Sequence, residues 1–276
     1  MFYILHFEAE NLINLLIGYI IGNGGTRPSM ESNAAIPFAH RMGLISDELY
    51  ESLESSCEGN YQVIDPRNKE CSEAIQAYFE CISGISTNHI LEPLCGFAAP
   101  KPEDMLDNRR SLIDKYRVSF DPDPHAIPFG CRTYGYMLSY IWTNDESVRE
   151  ALHIHKGSID RWVRCNYQIK YGTQIWSSYM YHVNLSTKGY RSLIYSGDHD
   201  MIVPFFATHA WIKSLNYSIV DDWRPWLADG QVAGYTRTYS NQMTFATVKG
   251  GGHTAPEYRP PECYEMFKRW INREPL

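Results

Sequence analysis

The stretch from Arg191 to Pro204, RSLIYSGDHDMIVP, constrains the fold more than any other part of the chain. Its short apolar run, Leu193 to Tyr195, has the length of a buried strand. Gly197 breaks this run, two acids and a His follow, and Pro204 suits the first turn of a helix. A strand that passes through a polar loop into a helix is typical of α/β proteins, which keep their chemistry at the carboxyl edge of the sheet.

A second junction of the same kind lies downstream. Residues 243–248, MTFATV, alternate as in a strand and lead into KGGGHTAP, which contains His253. The chain therefore has an acidic loop around Asp200 and then a His loop, each after a strand. The last two members of the Ser–Asp–His triad of α/β-hydrolases follow one another in this order.

Five longer motifs accompany these junctions. They are FAHRMGLISDELY at 38–50, SGDHDMIVP at 196–204, WRPW at 223–226, GYTRTY at 234–239 and TFATVKGGGHTAPEYRP at 244–260. In this order they closely resemble plant serine carboxypeptidase-like proteins, a family of α/β-hydrolases. The resemblance extends from about Leu12 to Ile271, and the run LNYSIVDDWRPW favours the acyltransferase branch over the true peptidases.

The resemblance implies a partial α/β-hydrolase fold, in which helices flank a central mixed sheet. It implies a single partial domain over residues 1–276, with a mostly helical lid inserted over residues 36–175. Residues 12–21 are apolar enough for a central strand that is buried on both faces. Because the family's upstream strands are missing, we expect this strand to lie at an exposed edge, which favours aggregation.

Caps and apolar periodicity predict the helices. One is expected from Asp47 to about Leu53 with Ser46 as its N-cap, and another after Ser72 as cap. A capping box at residues 143–146 predicts a helix over residues 147–153. Further helices are expected around Ile159, Trp162 and Val163, from Pro204 to Leu215, and after Pro261, with Cys263, Met266, Phe267, Trp270 and Ile271 on the apolar stripe of the last.

The family motifs imply the roles of two residues. In a triad the His takes the proton of the nucleophile, and the acid fixes the His tautomer. Residue by residue, the motifs match Asp200 to the acid and His253 to the base, and Asp198 is expected to hold its own loop. Without the resemblance, these side chains would more simply be interpreted as loop caps.

The family's nucleophile has no counterpart here. Its Ser lies in a Gly-Glu-Ser-Tyr-Ala-Gly segment, whereas this sequence contains no Gly-x-Ser-x-Gly and no Gly-Gly-Pro-Gly oxyanion segment. Ser196 is a poor substitute because it lies on the strand end of the acid rather than on a strand-to-helix elbow. We therefore predict that the chain has no nucleophile and is inactive alone.

The resemblance implies acyl transfer through a Ser acyl-enzyme, with a peptide or acyl-ester substrate once the missing N-terminal part is supplied. Water as acceptor gives carboxypeptidase activity, and an alcohol with an acylglucose donor gives an acyltransferase. One alternative is a non-catalytic binding or regulatory protein that pairs with a full-length relative. Another is the product of a truncated gene model.

Other ligands have little support. Asp198, His199, Asp200 and His253 could form a mixed metal site, but adjacent side chains point apart and no helical His-x-x-x-His occurs, so neither a metal nor a cofactor is expected. The net charge is −7 and no basic block occurs. This composition argues against nucleic acid and anionic membranes as partners.

Seven Cys residues occur in the chain. Cys57 and Cys71 bracket a loop between two predicted helices and are predicted to form a disulfide, the alternative being two buried thiols. Cys95 and Cys131 flank a Pro-rich segment, residues 93–128, and are disulfide candidates that could tie it down. The segment is either an excised linker, as in many serine carboxypeptidases, or an uncut surface loop. The family partner of Cys165 is absent, which makes Cys165 the candidate for an unpaired thiol.

Two features bear on the compartment. Asn184 and Asn216 begin N-glycosylation acceptor triplets, and the resemblance implies a secreted or vacuolar protein. The first seven residues have no basic start, and Glu8 and Glu10 interrupt the apolar run, so no signal peptide is visible. We interpret the start as a spurious or alternative one.

Overall fold

The computed structural model describes residues 2–4, 18–94, 135–164, 166, 169, 170, 172 and 175–276. The chain divides into two compact units. The first comprises Met1–Ile82, Thr87–Leu91 and Gln174–Leu276, and the second comprises Ser83–Ser86 and Glu92–Thr173. None of the helices described is long and apolar enough to cross a membrane.

A six-stranded mixed sheet forms the centre of the first unit. Its strands are β1 (Phe2–Ile4), β2 (Gly18–Gly22), β3 (Arg191–Gly197), β4 (Ile219–Ala228), β5 (Gln231–Tyr239) and β6 (Met243–Val248). They lie in the order β1-β2-β3-β6-β5-β4. β2, β3 and β6 are parallel, and the other pairs are antiparallel. The predicted α/β class with a central mixed sheet is confirmed.

Ten helices lie in the described part of the chain. They are α1 (Pro28–Ser32), α2 (Ala35–Arg41), α3 (Asp47–Cys57), α4 (Lys69–Ile82), α5 (Gly135–Asn144), α6 (Glu146–Ala151), α7 (Tyr179–Thr187), α8 (Phe205–Lys213), α9 (Ala255–Tyr258) and α10 (Pro260–Asn272). Only α5 and α6 belong to the second unit. The lid expected over residues 36–175 stays a prediction.

Two hydrophobic cores lie on opposite faces of the sheet, because successive strand residues point to opposite sides. Leu193 and Tyr195 pack in one core with Met266 and Trp270 of α10. Ile194 packs in the other with Trp211 of α8. Since β3 is also paired on both edges, all of its residues are buried. This burial explains why its sequence is a continuous apolar run rather than an alternating one.

The start of α4 corrects a prediction. Ser46 caps α3 as expected, accepting a hydrogen bond from the backbone N–H of Leu49. Ser72, however, lies inside α4 and donates back to the carbonyl of Asn68. The side chain of Asn68 accepts from the N–H of Cys71 and caps this helix four residues earlier than predicted. Asn competes well for this position because its side-chain oxygen reaches the free N–H groups of the first turn.

Two predictions in the second unit were wrong. The capping box at 143–146 does not form, because Thr143 donates back to Ser139 within α5, and Asp145 instead caps α6. Residues 159–163 form no helix. Their backbone is held by side chains: Asn144 bonds both the N–H and the carbonyl of Trp162.

The prediction that β2 lies at an exposed edge of the sheet was also wrong. Phe2–Ile4 pairs antiparallel with β2, so β2 has a neighbour on each side. Of the predicted strand over residues 12–21, the described residues form Gly18–Gly22 as β2, and residues 12–17 lie outside the described part. The other edge is β4, a strand that was not predicted.

Candidate active site

The two polar loops leave the same edge of the sheet. β3 and β6 are parallel neighbours, and Gly197 at the end of β3 is paired with Val248 at the end of β6. The loops that follow must therefore run side by side. Gly197 is required for this approach, because a Cβ atom there would lie 2.4 Å from the carbonyl oxygen of Gly251. The fold thus brings the Asp loop and the His loop together at the carboxyl edge.

Asp200 is fully buried and accepts hydrogen bonds on both carboxylate oxygens. Oδ1 accepts from the backbone N–H groups of Ile202 (2.8 Å) and Val203 (3.2 Å). Oδ2 accepts from Nδ2 of Asn23 (2.8 Å) and bonds Nδ1 of His253 (2.9 Å). An ionised carboxylate is an acceptor-only group, so this set of donors suits it and fixes its rotation.

His253 is held by its backbone and by one ring nitrogen. Its backbone N–H donates to the carbonyl of Asn88 at 2.7 Å. Because Nδ1 faces a carboxylate oxygen, Nδ1 carries the proton and Nε2 has the free lone pair. The ring is 33% exposed, and Nε2 has no hydrogen-bond partner in the described residues. The arrangement leaves a proton-accepting nitrogen at the surface of the site.

Asp198 braces the His loop as well as its own loop. Its Oδ1 accepts the N–H of Gly250 at 2.7 Å and bonds Nδ1 of His199 at 2.5 Å. The N–H of His199 donates to the carbonyl of Gly251 at 2.9 Å. The ring of His199 in turn stacks on His89, with ring centroids 5.5 Å apart. Asp198 therefore fixes the glycine run that precedes His253.

Comparison with known proteins identifies the family. Residues 4–273 match the sequence model of the serine carboxypeptidase family, Peptidase_S10. The chain belongs to the serine carboxypeptidase family. The resemblance found in the sequence motifs is thereby confirmed.

Among the family's members, two Arabidopsis thaliana proteins are 53% identical to this chain. Serine carboxypeptidase-like 10 matches over 269 residues, 97% of this chain and 55% of that protein. Serine carboxypeptidase-like 19 matches over 270 residues, 96% of this chain and 57% of that protein. The chain thus spans about half the length of these curated relatives.

A solved carboxypeptidase structure has a similar fold. The crystal structure of KEX1(delta)P, a prohormone-processing carboxypeptidase from Saccharomyces cerevisiae, aligns with a TM-score of 0.57 and 17% identity. The alignment covers 91% of this chain and 52% of that one. The predicted α/β-hydrolase fold is confirmed, and it is partial because the chain covers about half of that structure.

Ser196 is not presented as a nucleophile in this member of the family. It is fully buried, and its hydroxyl donates to the carbonyl of Val203 at 3.4 Å. In the described residues, no group of three or more His, Cys, Asp or Glu side chains could hold a metal ion, and this includes Asp198, His199, Asp200 and His253. Asp200 and His253 are the predicted site residues that the fold brings into contact.

The predicted disulfide between Cys57 and Cys71 is present and joins the end of α3 to α4, with Cα atoms 5.0 Å apart. Cys95, Cys131 and Cys165 lie outside the described residues. The described free thiols are Cys81, which is exposed, and Cys263, which is buried.

Both acceptor asparagines of the glycosylation triplets are exposed in this serine carboxypeptidase relative. Asn184 lies on α7. Asn216 lies after α8 with a φ of +57°. Of the serines that complete the triplets, Ser218 is exposed, whereas Ser186 is buried and bonds Val183 and Tyr217.

Proposed function

We propose that this chain supplies the acid and the base of a serine carboxypeptidase-like acyl-transfer centre. Asp200 is the acid and His253 the base. The observation that carries the proposal is the 2.9 Å contact between Oδ2 of Asp200 and Nδ1 of His253, at the edge where two parallel strands end. The free Nε2 and the partly exposed ring supply the proton acceptor that such a centre needs.

The proposed chemistry proceeds through a Ser acyl-enzyme. The hydroxyl of the nucleophile attacks the carbonyl carbon of the substrate, and its proton passes to Nε2 of His253. Asp200 stabilises the imidazolium that forms. The same proton then goes to the leaving group. An acceptor, water in a carboxypeptidase or an alcohol in an acyltransferase, releases the acyl group in the second half of the cycle.

The proposed centre requires a nucleophile that is supplied from outside these 276 residues. No Gly-x-Ser-x-Gly occurs in the sequence, and Ser196 is buried. We therefore expect the 276-residue chain to be inactive alone. Without a nucleophile and oxyanion donors, an acid–His pair lacks the largest catalytic terms.

A chimera tests this proposal. The part of serine carboxypeptidase-like 19 that carries its nucleophile is joined to this chain, and the product is treated with a fluorophosphonate probe. We expect labelling of the chimera, none of the chain alone, and labelling at least about 100-fold slower in a His253→Gln chimera. Labelling of the chain alone, or equally fast labelling of the His253→Gln chimera, would contradict the proposal.

The labelled chimera also separates the two acceptors. One assay offers an N-blocked dipeptide with a free carboxylate, and the other offers an acylglucose with an alcohol. Release of the C-terminal amino acid indicates a carboxypeptidase, and ester formation indicates an acyltransferase. Turnover in either assay that persists in the Asp200→Asn chimera at full rate would remove Asp200 from the proposed machinery.

The missing motif favours a second candidate, a non-catalytic relative that pairs with a full-length member of the family. The discriminating measurement is the mass of the native polypeptide after removal of glycans and reduction of disulfides. A mass near 31.9 kDa, together with co-purification of a full-length relative, supports the second candidate. A considerably larger mass that includes a Gly-x-Ser-x-Gly peptide supports the catalytic one.

The proposed compartment is the secretory route, ending outside the cell or in the vacuole. The disulfide between Cys57 and Cys71 supports it, because such bonds persist in oxidising compartments. Digestion of the native protein with an N-glycosidase tests it. A loss of mass that disappears in an Asn184→Gln, Asn216→Gln double variant is expected, and an unchanged mass would contradict glycosylation at both positions.

A further inference from the structure

Asn23 lies where β2 ends, far in sequence from both candidate catalytic residues. It is 5% exposed, and its backbone N–H donates to the carbonyl of Tyr195 at 2.9 Å. Its φ of +47° is in the left-handed region, which Asn adopts more readily than most residues. The backbone therefore leaves the sheet at Asn23, and the side chain lies beside the end of β3.

The amide of Asn23 makes two hydrogen bonds that fix which end faces Asp200. The backbone N–H of Gly197 donates to Oδ1 at 3.3 Å. Since an N–H can only donate, the oxygen end of the amide lies at Gly197 and the NH₂ end lies at Asp200. There Nδ2 donates to Oδ2 of Asp200 at 2.8 Å. A flipped amide would place two donors together at Gly197 and two acceptors together at Asp200.

The contact matters because Oδ2 is also the oxygen that faces His253. Nδ1 of His253 lies 2.9 Å from the same atom. The backbone N–H groups of residues 202 and 203 hold Oδ1 and leave rotation of the carboxylate to be fixed at its other end. Asn23 is the second donor at that end. It is anchored to β3 by its backbone N–H, which donates to Tyr195, and by its Oδ1, which accepts from Gly197.

We propose that Asn23 is a positioning residue that holds the carboxylate of Asp200 in line with Nδ1–H of His253. This inference rests on the proposed function of the Asp200–His253 pair. Asn23 touches neither Nε2 of His253 nor a reacting atom, so it acts only through Asp200.

Two substitutions separate the amide from the backbone. Asn23→Gly removes the side chain and tolerates the positive φ, so it deletes the two hydrogen bonds without backbone strain. Asn23→Asp keeps the shape but puts a carboxylate oxygen against Oδ2, and two carboxylates this close cannot both be ionised. Asn241→Gly is the matched control, because Asn241 has a φ of +61° and is exposed.

The readout is the low-field ¹H resonance of His253 Nδ1–H in the ¹⁵N-histidine-labelled chain, assigned by its loss in His253→Gln. In Asn23→Gly we expect this proton to exchange with water at least about tenfold faster, the factor that one lost hydrogen bond supplies. In Asn241→Gly the exchange should match the wild type. In Asn23→Asp the resonance should change with pH where that of the wild type does not.

The outcomes distinguish the two proposals. If the wild type has no such resonance, or if His253→Gln retains it, the Asp200–His253 pair itself is refuted and Asn23 has nothing to position. If the resonance is present but exchanges equally fast in Asn23→Gly and Asn241→Gly, only the role of Asn23 is refuted. Should Asn23→Gly not fold, the pH dependence of Asn23→Asp decides, and a wild-type profile refutes the role.

Discussion

Two histidines of the first unit lie in contrasting surroundings. His253 is partly exposed at the edge of the sheet and bonds a buried carboxylate. His182, on α7, is 2% exposed and bonds the hydroxyl of Tyr19 at 2.9 Å. The ring of Trp211 lies 4.5 Å from that of His182, and Nε2 of His182 has no hydrogen-bond partner in the described structure.

The two sites differ in how well they stabilise a protonated imidazole. Among the described residues no anion bonds His182 to compensate the loss of water, and burial lowers its pKa to about 4. Burial likewise raises the pKa of its partner Tyr19 to about 12, so both groups are neutral at pH 7. His182 is therefore a packing residue of the core. His253 has an acceptor-only partner on one side and solvent on the other, which are the conditions for proton transfer.

The largest effect on the two histidine sites is expected for Asp200→Asn. The new amide would face two donors, Asn23 and Nδ1–H of His253, and the carboxylate's charge-assisted bonds would be lost. We expect the free energy of unfolding at pH 7 to fall by about 2–4 kcal/mol in urea denaturation. We also expect the proton of His253 to move to Nε2, visible in ¹⁵N spectra. A loss below about 1 kcal/mol would mean that the buried donors find other partners.

The second test removes the contrasting histidine. Since the pKa of His182 falls from 6.5 when unfolded to about 4 when folded, unfolding takes up a proton between these values. Stability from this group is full above pH 6.5 and is lost as the pH falls towards 4. His182→Gln does not titrate and can still bond Tyr19. Between pH 7 and 4 the wild type should lose up to about 3 kcal/mol more than this variant in urea denaturation. Equal losses would contradict the assigned environment.

The elements that could be predicted from the sequence are those with a regular apolar pattern or a long family motif. β6 was predicted at its observed bounds, and the loops of Asp200 and His253 were identified by motifs. β4 was missed because its pairing with β5 shifts register at three points and it contains Pro225. These irregularities remove the alternation that marks a strand.

Long-range contacts were beyond prediction from local patterns. Asn23 was not among the predicted site residues, because its partner Asp200 is 177 positions away. The pairing of Phe2–Ile4 with β2 was missed for the same reason. At the start of α6 two candidate N-cap residues, Thr143 and Asp145, lie only two positions apart, and local sequence does not decide between them. In the structure the hydroxyl of Thr143 donates to the carbonyl of Ser139, and Asp145 is the cap.

The smallest effect is expected at a third Asp–His contact, which isolates the part that burial plays. His40 Nε2 lies 2.6 Å from Oδ1 of Asp47, closer than the 2.9 Å between His253 and Asp200, but the Asp47 side chain is 84% exposed. Water screens this pair and solvates either partner alone, so Asp47→Asn should cost less than about 1 kcal/mol in urea denaturation. The cost should shrink further in high salt, whereas that of Asp200→Asn should not, because buried charges are screened much less. If the two substitutions proved equally costly, burial would not determine how much an Asp–His pair stabilises the fold, and burial would then not distinguish the Asp200–His253 pair from the exposed one.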